Sequence, residues 1–316
     1  MRTESLAPAA RAIGSPGVLA SLFSAKSRGK AIVELSRKER NMSNAAQPEL
    51  GSVVSLWRYP VKSMLGEELS ASEITERGLF GDRAYALIDR ADGKAATAKN
   101  PRKWPRLFDF RAAFVEPSRA ATMLPGVRIT FPDGTEVTSD QGDLDQILSK
   151  ALNREVTFRT ALREKINAEE YWPDIEGLDY KDTVTDFTLP EGTFFDCAMV
   201  HLLTTATLER LSELYPQGCF DLRRFRPNVV VRLASSEKGF VENAWVGRTL
   251  AIGTAVRLNI TGSCGRCVMT TLAQGDLSKD PGILRTAVQH NHANVGVYAA
   301  VESGGLIRSG DPVRIE

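Results

Sequence analysis

S-V-V-S-L-W-R-Y-P-V-K-S, residues 52–63, is the first stretch of the chain with a clear structural character. It gathers β-branched and aromatic residues into a short run that breaks at Pro60, a pattern typical of a strand followed by a turn. The same texture of short apolar runs broken by Gly, Pro and Asp continues to the end of the chain. We therefore predict a mainly β fold with a few helices, of the α+β class.

The remaining elements are predicted from the same patterns. Strands are expected at 53–59, 83–89, 108–115, 127–131, 199–203, 229–233, 250–252, 256–260, 295–301 and 312–315. Helices are expected at 143–152, at 205–214 and from Pro281 onward, where Asp280 supplies the cap. Many short strands that do not alternate with helices indicate two β-barrel-like domains. The acidic segment 161–192 has no clear periodicity, and we predict an excursion or lid there.

The bulk properties are those of an ordinary globular protein. The chain has 316 residues, of which 42% are hydrophobic and 25% charged. No apolar run approaches the ~20 residues that a membrane-spanning helix needs, so we predict a soluble protein without a membrane partner. Four cysteines are too few for a disulfide framework. They indicate a reducing compartment, and we predict a cytoplasmic location.

Charge is unevenly distributed. Residues 1–41 contain eight Lys/Arg and three Asp/Glu, a net charge of +5 in a chain whose total is +1. The body is therefore slightly acidic, which argues against a general nucleic-acid binder. Segment 1–50 is rich in Ala, Ser and Arg and lies outside the predicted fold. It is interpreted as a disordered extension, a targeting peptide, or sequence upstream of a true start at Met42.

The run C-G-R-C at 264–267 is the first candidate site. It follows a predicted strand and precedes V-M-T-T, so we expect both cysteines on a turn at a strand end. Thiolates are soft ligands for molybdenum, copper, zinc or iron–sulfur centres. A structural zinc would need a second such pair, and a thioredoxin-type motif would need a βαβ unit. Metal, redox and purely structural readings remain open on spacing alone.

A set of cations next to turn-forming residues is the second candidate. Lysine, arginine and serine donors together match a phosphate, because guanidinium and hydroxyl groups donate to its oxygens. These positions are Lys62, Ser63, Arg83, Arg223, Arg224 and Arg226. The three histidines, His201, His290 and His292, are assigned core or surface roles rather than a zinc site.

Taken together, the motifs resemble those of MOSC-domain proteins, especially the amidoxime-reducing component type. The anchors are Y-P-V-K-S at 59–63, G-D-R at 81–83, F-R-P-N at 225–228, C-G-R-C-x-x-T-T at 264–271, G-V-Y at 296–298 and G-D-P-V at 310–313. The resemblance covers residues 51–316. It implies a MOSC N-terminal β-barrel domain at 51–175 and a MOSC β-barrel domain at 176–316.

The resemblance also implies a cofactor, molybdenum carried by molybdopterin. Cys267 would be the metal ligand and the catalytic thiolate. Lys62, Ser63 and Arg83 would hold the pterin phosphate. The other contacts implied are Arg226, Asn228 and Tyr298.

The function implied is an oxidoreductase that reduces N-hydroxylated compounds such as amidoximes and hydroxylamines. Electrons would come from a separate donor protein of ferredoxin, flavoprotein or cytochrome type, for which segment 161–192 is a candidate docking surface. Asp196 is a candidate proton source. The alternatives are a cofactor carrier or sulfur-transfer protein that uses a persulfide on Cys267, and a non-catalytic barrel with structural cysteines.

Overall fold

Strands dominate the fold. The computed structural model describes residues 49–116, 124–161 and 164–316, and in those ranges eighteen strands accompany four α-helices. The strands are β1 Gly51–Arg58, β2 Glu67–Leu69, β3 Ala71–Thr75, β4 Gly78–Leu79, β5 Tyr85–Asp89, β6 Arg111–Phe114, β7 Val127–Thr130, β8 Glu136–Thr138, β9 Val156–Thr160, β10 Asn167–Trp172, β11 Thr183–Thr188, β12 Val200–Thr204, β13 Val229–Leu233, β14 Thr249–Ile252, β15 Val256–Gly265, β16 Asn294–Ser303, β17 Gly305–Arg308 and β18 Pro312–Ile315. The helices are α1 Leu144–Leu152, α2 Thr205–Leu214, α3 Leu222–Phe225 and α4 Pro281–Asn291. Short 3-10 helices lie at Leu107–Asp109, Val241–Trp245 and Val268–Thr271.

Seven of these strands close into a barrel. Their order is β13-β12-β16-β15-β14-β18-β1, and β1 pairs back onto β13. β12 and β13 run parallel, whereas the other pairs around the ring are antiparallel. The predicted mainly β fold with a β-barrel is confirmed.

Apolar side chains fill the barrel core. Closing the sheet removes its edges, and alternate residues of each strand then point toward one interior. Buried residues of this cluster include Val53, Leu56, Leu202, Val231, Leu258 and Val313. Each fully buried aliphatic side chain contributes about 1.5–3 kcal/mol relative to its exposed state.

A second core lies among the small sheets formed by the earlier part of the chain. β5 pairs with β9, β6 with β7, and β7 with β8, and α1 packs beside β9. The core contains Trp104, Phe110, Ile129 and Leu148, and it also takes in Met269 from the loop after β15. The segment that follows β15 therefore packs against this second core through Met269, Cys267 and Leu272.

Local signals placed the helices correctly. α1 begins directly after Asp143 and ends at Leu152, and the next residue, Asn153, adopts a left-handed conformation. α4 begins at Pro281, and the Asp280 side chain accepts a hydrogen bond from Gly282 N at 2.8 Å. The predicted helices at 143–152, at 205–214 and from Pro281 are confirmed.

Three predictions need correction. Segment 161–192 contains the antiparallel hairpin β10–β11, whose polar residues on both faces hid the strand pattern. The strand expected at 108–115 is shorter, because a 3-10 turn occupies Leu107–Asp109. β15 continues to Gly265, so Cys264 lies within the strand instead of on a turn.

Several predictions concern segment limits. Of residues 1–50, the structure describes only Glu49 and Leu50, so the predictions for this segment lie outside the described residues. The boundary between residues 175 and 176 stays a prediction, and β1 and β3 pair with strands from beyond it.

Among the described residues, no helix combines the length and hydropathy needed to cross a membrane.

Candidate functional site

A cleft opens at one end of the barrel. Pairing places Leu56, Val229, Leu202, Val297 and Ser263 at the same level around the ring. The loops that follow β1 and β15 and the loop that precedes β13 leave the ring at this end. These loops, with the segment before β12, enclose a space of about 690 Å³, including the part open to solvent.

All seven residues that the family resemblance assigns to the cofactor line this one cleft. They are Lys62, Ser63, Arg83, Arg226, Asn228, Cys267 and Tyr298. The structure thus brings together segments that are more than 200 residues apart in the chain. Their roles toward a cofactor stay predictions.

Positive charge dominates the lining. Five Lys or Arg side chains face a single carboxylate, that of Asp196; the cations are Lys62, Arg83, Lys99, Arg226 and Arg266. Low dielectric surroundings strengthen the field of such a cluster. The cleft is therefore suited to an anionic ligand.

Asp196 holds two of these cations. It forms an ion pair with Lys62, whose Nζ also donates to Phe194 O at 3.0 Å, and it lies 3.6 Å from Lys99 Nζ. Burial alone would raise the pKa of Asp196, but Lys62 and Lys99 hold it well below its usual range. The carboxylate is thus ionised at neutral pH, which argues against its predicted role as a proton source.

Arg83 is fixed by a buried carboxylate that the sequence did not single out as a site residue. Asp82 pairs with the Arg83 guanidinium and accepts from Tyr59 N at 2.7 Å. The Arg83 guanidinium also lies 4.4 Å from the centre of the Tyr59 ring, a cation–π distance. Arg83 has a φ of 48°, so its backbone adopts a left-handed conformation at the end of the turn that precedes β5.

Arg226 and Asn228 extend this cluster from the other side. Arg226 stacks on the same Tyr59 ring at 4.1 Å and donates from Nη1 to Met64 O at 2.7 Å. Burial and the neighbouring Arg83 lower the pKa of Arg226 to about 10, which leaves it protonated near neutral pH. Asn228 donates to Asp82 Oδ2 at 2.9 Å and accepts from His201 N at 3.0 Å. The Asn228 side-chain amide therefore links two parts of the chain, the turn that precedes β5 and strand β12.

Ser63 is positioned by its backbone. Its φ is 63°, and its Oγ accepts from Ala98 N at 3.0 Å. The left-handed residue turns the chain sharply after β1 and places Lys62 and Ser63 together on the cleft wall.

The two cysteines of C-G-R-C occupy different environments. Cys264 is fully buried, and its Sγ accepts from Arg266 Nη1 at 2.7 Å. Burial opposes its ionisation, but Arg266 and His201 lower the pKa of this thiol to about 6. Cys267 is partly exposed and lines the cleft. Burial raises the pKa of Cys267 to about 12, against the attraction of the Lys99 ammonium.

Tyr298 lies beside the Cys264 group. Its ring stands edge-on to the His201 imidazole, with 6.1 Å between the ring centres. The Cys264 thiolate and burial hold the pKa of the Tyr298 hydroxyl well above its ordinary value. Tyr298 therefore keeps its proton and can donate a hydrogen bond.

Lys99 is a further lining residue that the sequence reasoning missed. Its Nζ lies 3.4 Å from Glu170 Oε1 and 4.7 Å from the centre of the Phe187 ring. Both partners belong to the β10–β11 hairpin, which the sequence did not predict. Without that hairpin, nothing distinguishes Lys99 from a surface lysine.

Two predicted cations lie elsewhere. Arg223 pairs with Asp221 at 2.8 Å and with Asp276 at 2.6 Å, and it does not line the cleft. Arg224 is fully buried and donates to backbone carbonyls, among them Thr270 O at 3.2 Å and Leu272 O at 3.2 Å. It thereby fixes the 3-10 helix that follows Cys267.

The donor set fits a metal that brings most of its own ligands. In the described ranges, no three His, Cys, Asp or Glu side chains are grouped as metal ligands. The cleft instead offers two thiols, those of Cys197 and Cys267, together with cations suited to a phosphate, and Cys267 is the one within the C-G-R-C motif. A pterin dithiolene that carries molybdenum and a phosphate fits this lining, because one thiolate would bind the metal and the cations would hold the phosphate.

Comparison with known proteins agrees with this geometry. The MOSC domain family matches residues 190–314, and the MOSC N-terminal beta barrel domain family matches residues 50–168. The rat mitochondrial amidoxime reducing component 2 is 26% identical over 317 residues, covering 88% of this chain and 87% of the relative.

Two further similarities extend the comparison. The human mitochondrial amidoxime-reducing component 1 is 26% identical over 309 residues, covering 84% of this chain and 83% of the relative. The crystal structure of the YUAD protein from Bacillus subtilis has a TM-score of 0.41 and 11% identity, covering 85% of this chain and 97% of that one. Because the two family matches together span most of the described residues, this chain belongs to the MOSC-domain proteins, and its curated relatives are amidoxime-reducing components.

Proposed function

We propose that this chain binds molybdenum cofactor in the cleft and reduces N-hydroxylated compounds with electrons from a separate protein donor. The observation that carries the proposal is the cleft lining, where two thiols, those of Cys197 and Cys267, lie with five cations and one carboxylate. The names of the curated relatives, amidoxime-reducing components, favour this reaction over other chemistry of the same cofactor.

Cys267 is the residue that would bind the metal. It lines the cleft, whereas Cys264 lies behind the cleft wall and is held by Arg266. In the absence of metal, burial keeps the Cys267 thiol protonated. Binding a soft metal would displace this proton, so binding should weaken as the pH falls.

The cations would hold the phosphate at the other end of the cofactor. Lys62, Arg83 and Arg226 are each fixed by protein partners before any ligand arrives. A preorganised site does not have to order its side chains on binding, which favours retention of the ligand.

The reaction itself is a two-electron reduction. It breaks the N–O bond, consumes two electrons and two protons, and releases water. The bound cofactor supplies the two-electron chemistry, while the protein controls position, charge and access. Tyr298 keeps its proton at neutral pH and lines the cleft, so it is suited to donate a hydrogen bond to a substrate oxygen.

Metal content and turnover test the proposal together. The chain is purified anaerobically from a host that makes the cofactor, molybdenum is measured, and benzamidoxime reduction is driven by reduced viologen. We expect about one molybdenum per chain and clear turnover, with both lost in Cys267→Ala. Cys219→Ser is the matched control, because Cys219 is an exposed cysteine outside the cleft.

Each outcome has a separate meaning. Wild-type protein without molybdenum would overturn the proposal. Equal metal in Cys267→Ala would overturn the ligand assignment. Metal without turnover, combined with a persulfide on Cys267 by mass spectrometry, would favour the carrier or sulfur-transfer alternative.

The phosphate assignment has its own test. Arg83→Met should lower cofactor retention about tenfold or more, since a charge-assisted hydrogen bond is worth about 1.5–3 kcal/mol. Arg248→Met is the control, because Arg248 is exposed and lies outside the cleft. Equal cofactor retention in the two variants would show that Arg83 does not bind the phosphate and has only a structural role.

A further inference from the structure

A second concave surface, which we call the basic groove, lies beside the cysteine loop. Its positive residues are Arg102, Lys279 and Arg285. Its apolar floor includes Ile175, Val268 and Leu272. A polar rim around an apolar floor is typical of a protein–protein contact site, and the rim here is positive.

Two of the three cations have no acidic partner. Lys279 and Arg285 are exposed, and neither forms an ion pair with any carboxylate in the part of the chain that the structure describes. Arg102 pairs with Asp182. The one acid lining the groove, Asp174, pairs with Lys181 at 3.7 Å. The groove therefore keeps net positive charge that faces solvent.

The groove and the candidate metal ligand share one rigid segment. The 3-10 helix Val268–Thr271 begins directly after Cys267, and Cys267 O accepts from Thr270 N at 3.2 Å. Thr271 O then accepts from Asp280 N at 2.8 Å, just before α4, which carries Arg285. A molecule in the groove is thus separated from Cys267 by a single turn of backbone.

The acidic segment 161–192 is less suited to docking than its composition indicated. Six of its nine carboxylates form ion pairs with Lys or Arg: Glu164, Glu169, Glu170, Asp174, Asp182 and Asp186. Most of its negative charge is therefore neutralised within the protein, whereas Lys279 and Arg285 of the groove form no ion pair with the described residues and can attract a partner.

We propose that the basic groove docks an acidic face of the protein that delivers electrons to the cofactor. This inference rests on the proposed function and adds to it the place and the charge of the donor. Opposite charges steer association, and the apolar floor excludes water once the partner is seated. The donor's redox centre would then lie against the 3-10 helix that leads to Cys267.

Charge reversal tests the docking site. Turnover of an N-hydroxylated substrate is measured against donor concentration for three acidic carriers: a plant-type ferredoxin, a flavodoxin and a cytochrome b5. The double variant Lys279→Glu, Arg285→Glu should raise the KM for an effective donor by about tenfold at low salt. Its viologen-driven turnover should stay at the wild-type level. High salt should reduce the difference between the two proteins, because ions screen exposed charges.

The control is the double variant Lys150→Glu, Arg248→Glu, which reverses two exposed charges outside the groove. A second readout does not depend on turnover. Complexes of the metal-free chain with each oxidised donor are measured by calorimetry, and the groove variant should bind about tenfold more weakly than the control.

The outcomes separate this inference from the proposed function. An unchanged donor KM and unchanged binding in the groove variant would overturn the docking site. It would also be overturned if viologen supports turnover and none of the three acidic donors does. Wild-type protein that is inactive even with viologen would overturn the proposed function, and the docking proposal with it.

Discussion

Replacing Asp82 by asparagine should destabilise the chain and disturb the cleft. The Asp82 carboxylate is buried and joins three segments. It accepts from Tyr59 N at 2.7 Å and from Asn228 Nδ2 at 2.9 Å, and it pairs with Arg83. Asparagine has nearly the same shape but only one acceptor oxygen, so it cannot satisfy all three donors.

The expected loss of stability is several kcal/mol. If the amide oxygen faces Asn228 and Arg83, the amide nitrogen points at Tyr59 N–H, and a buried donor without an acceptor costs about 1–3 kcal/mol. Arg83 also loses its charged partner. Breaking a fully buried pair costs about 3–5 kcal/mol. That cost is smaller here, because the Arg83 side chain is 15% exposed. We expect a total of about 3–4 kcal/mol.

Urea unfolding measures this loss. A chain of this size has an m value near the upper end of about 1–3 kcal/mol per molar urea, so the midpoint should fall by about 1 M. Asp179→Asn is the control, because Asp179 is exposed and makes no ion pair with the described residues. A shift below about 0.3 M in Asp82→Asn would refute the reasoning. Metal retention in the folded variant should also fall, since Arg83 is no longer held.

Two further predictions concern the barrel. Burial raises the pKa of Glu242, so the folded state favours the protonated carboxyl group. The stabilisation that this preference gives is present at low pH and is lost as the pH rises through the folded-state pKa. Glu242→Gln should therefore lose less unfolding free energy than the wild type between about pH 5 and about pH 8, measured in urea; equal losses would contradict this. Gly296→Ala should cost about 2 kcal/mol or more, because φ is 82° and a Cβ would lie 2.5 Å from Leu202 O and 2.4 Å from His201 Nε2. Gly262→Ala meets nothing within 4 Å, and an equal effect there would contradict the steric explanation.

The sequence predicted those elements whose signals are local. Asp280-Pro281 fixes the start of α4, because a cap and an N1 proline act within one helical turn. A short apolar run such as Val229–Leu233 is recognisable as a strand for the same reason. The motif order brought together the site residues that line the cleft, although their contacts are distant in sequence.

Elements without a recognisable apolar pattern were missed. β10 and β11 carry polar residues on both faces, so their pairing leaves no alternation of apolar residues to recognise. β15 was expected to end at Ile260, because T-G-S-C-G has the composition of a turn. The strand continues through irregular pairing with β16.

The same limit applies to the cleft. Asp82 is held at the cleft by a hydrogen bond from Asn228, and Lys99 is held there by an ion pair with Glu170. Neither relation can be read from spacing, because each partner lies more than 50 residues away. Motifs of contiguous residues marked the cleft, but not the carboxylates that hold its cations in place.

The closure of the barrel has a consequence for how the chain folds as it is synthesised. β1 pairs with β18 through Gly51 and Val313, so one of the first strands to leave the ribosome waits for almost the last. Contacts of such sequence separation form slowly, since a long loop must close first. Until β18 is synthesised the barrel that buries Val53 and Leu56 stays incomplete, and we expect nascent chains to rely on chaperones during translation.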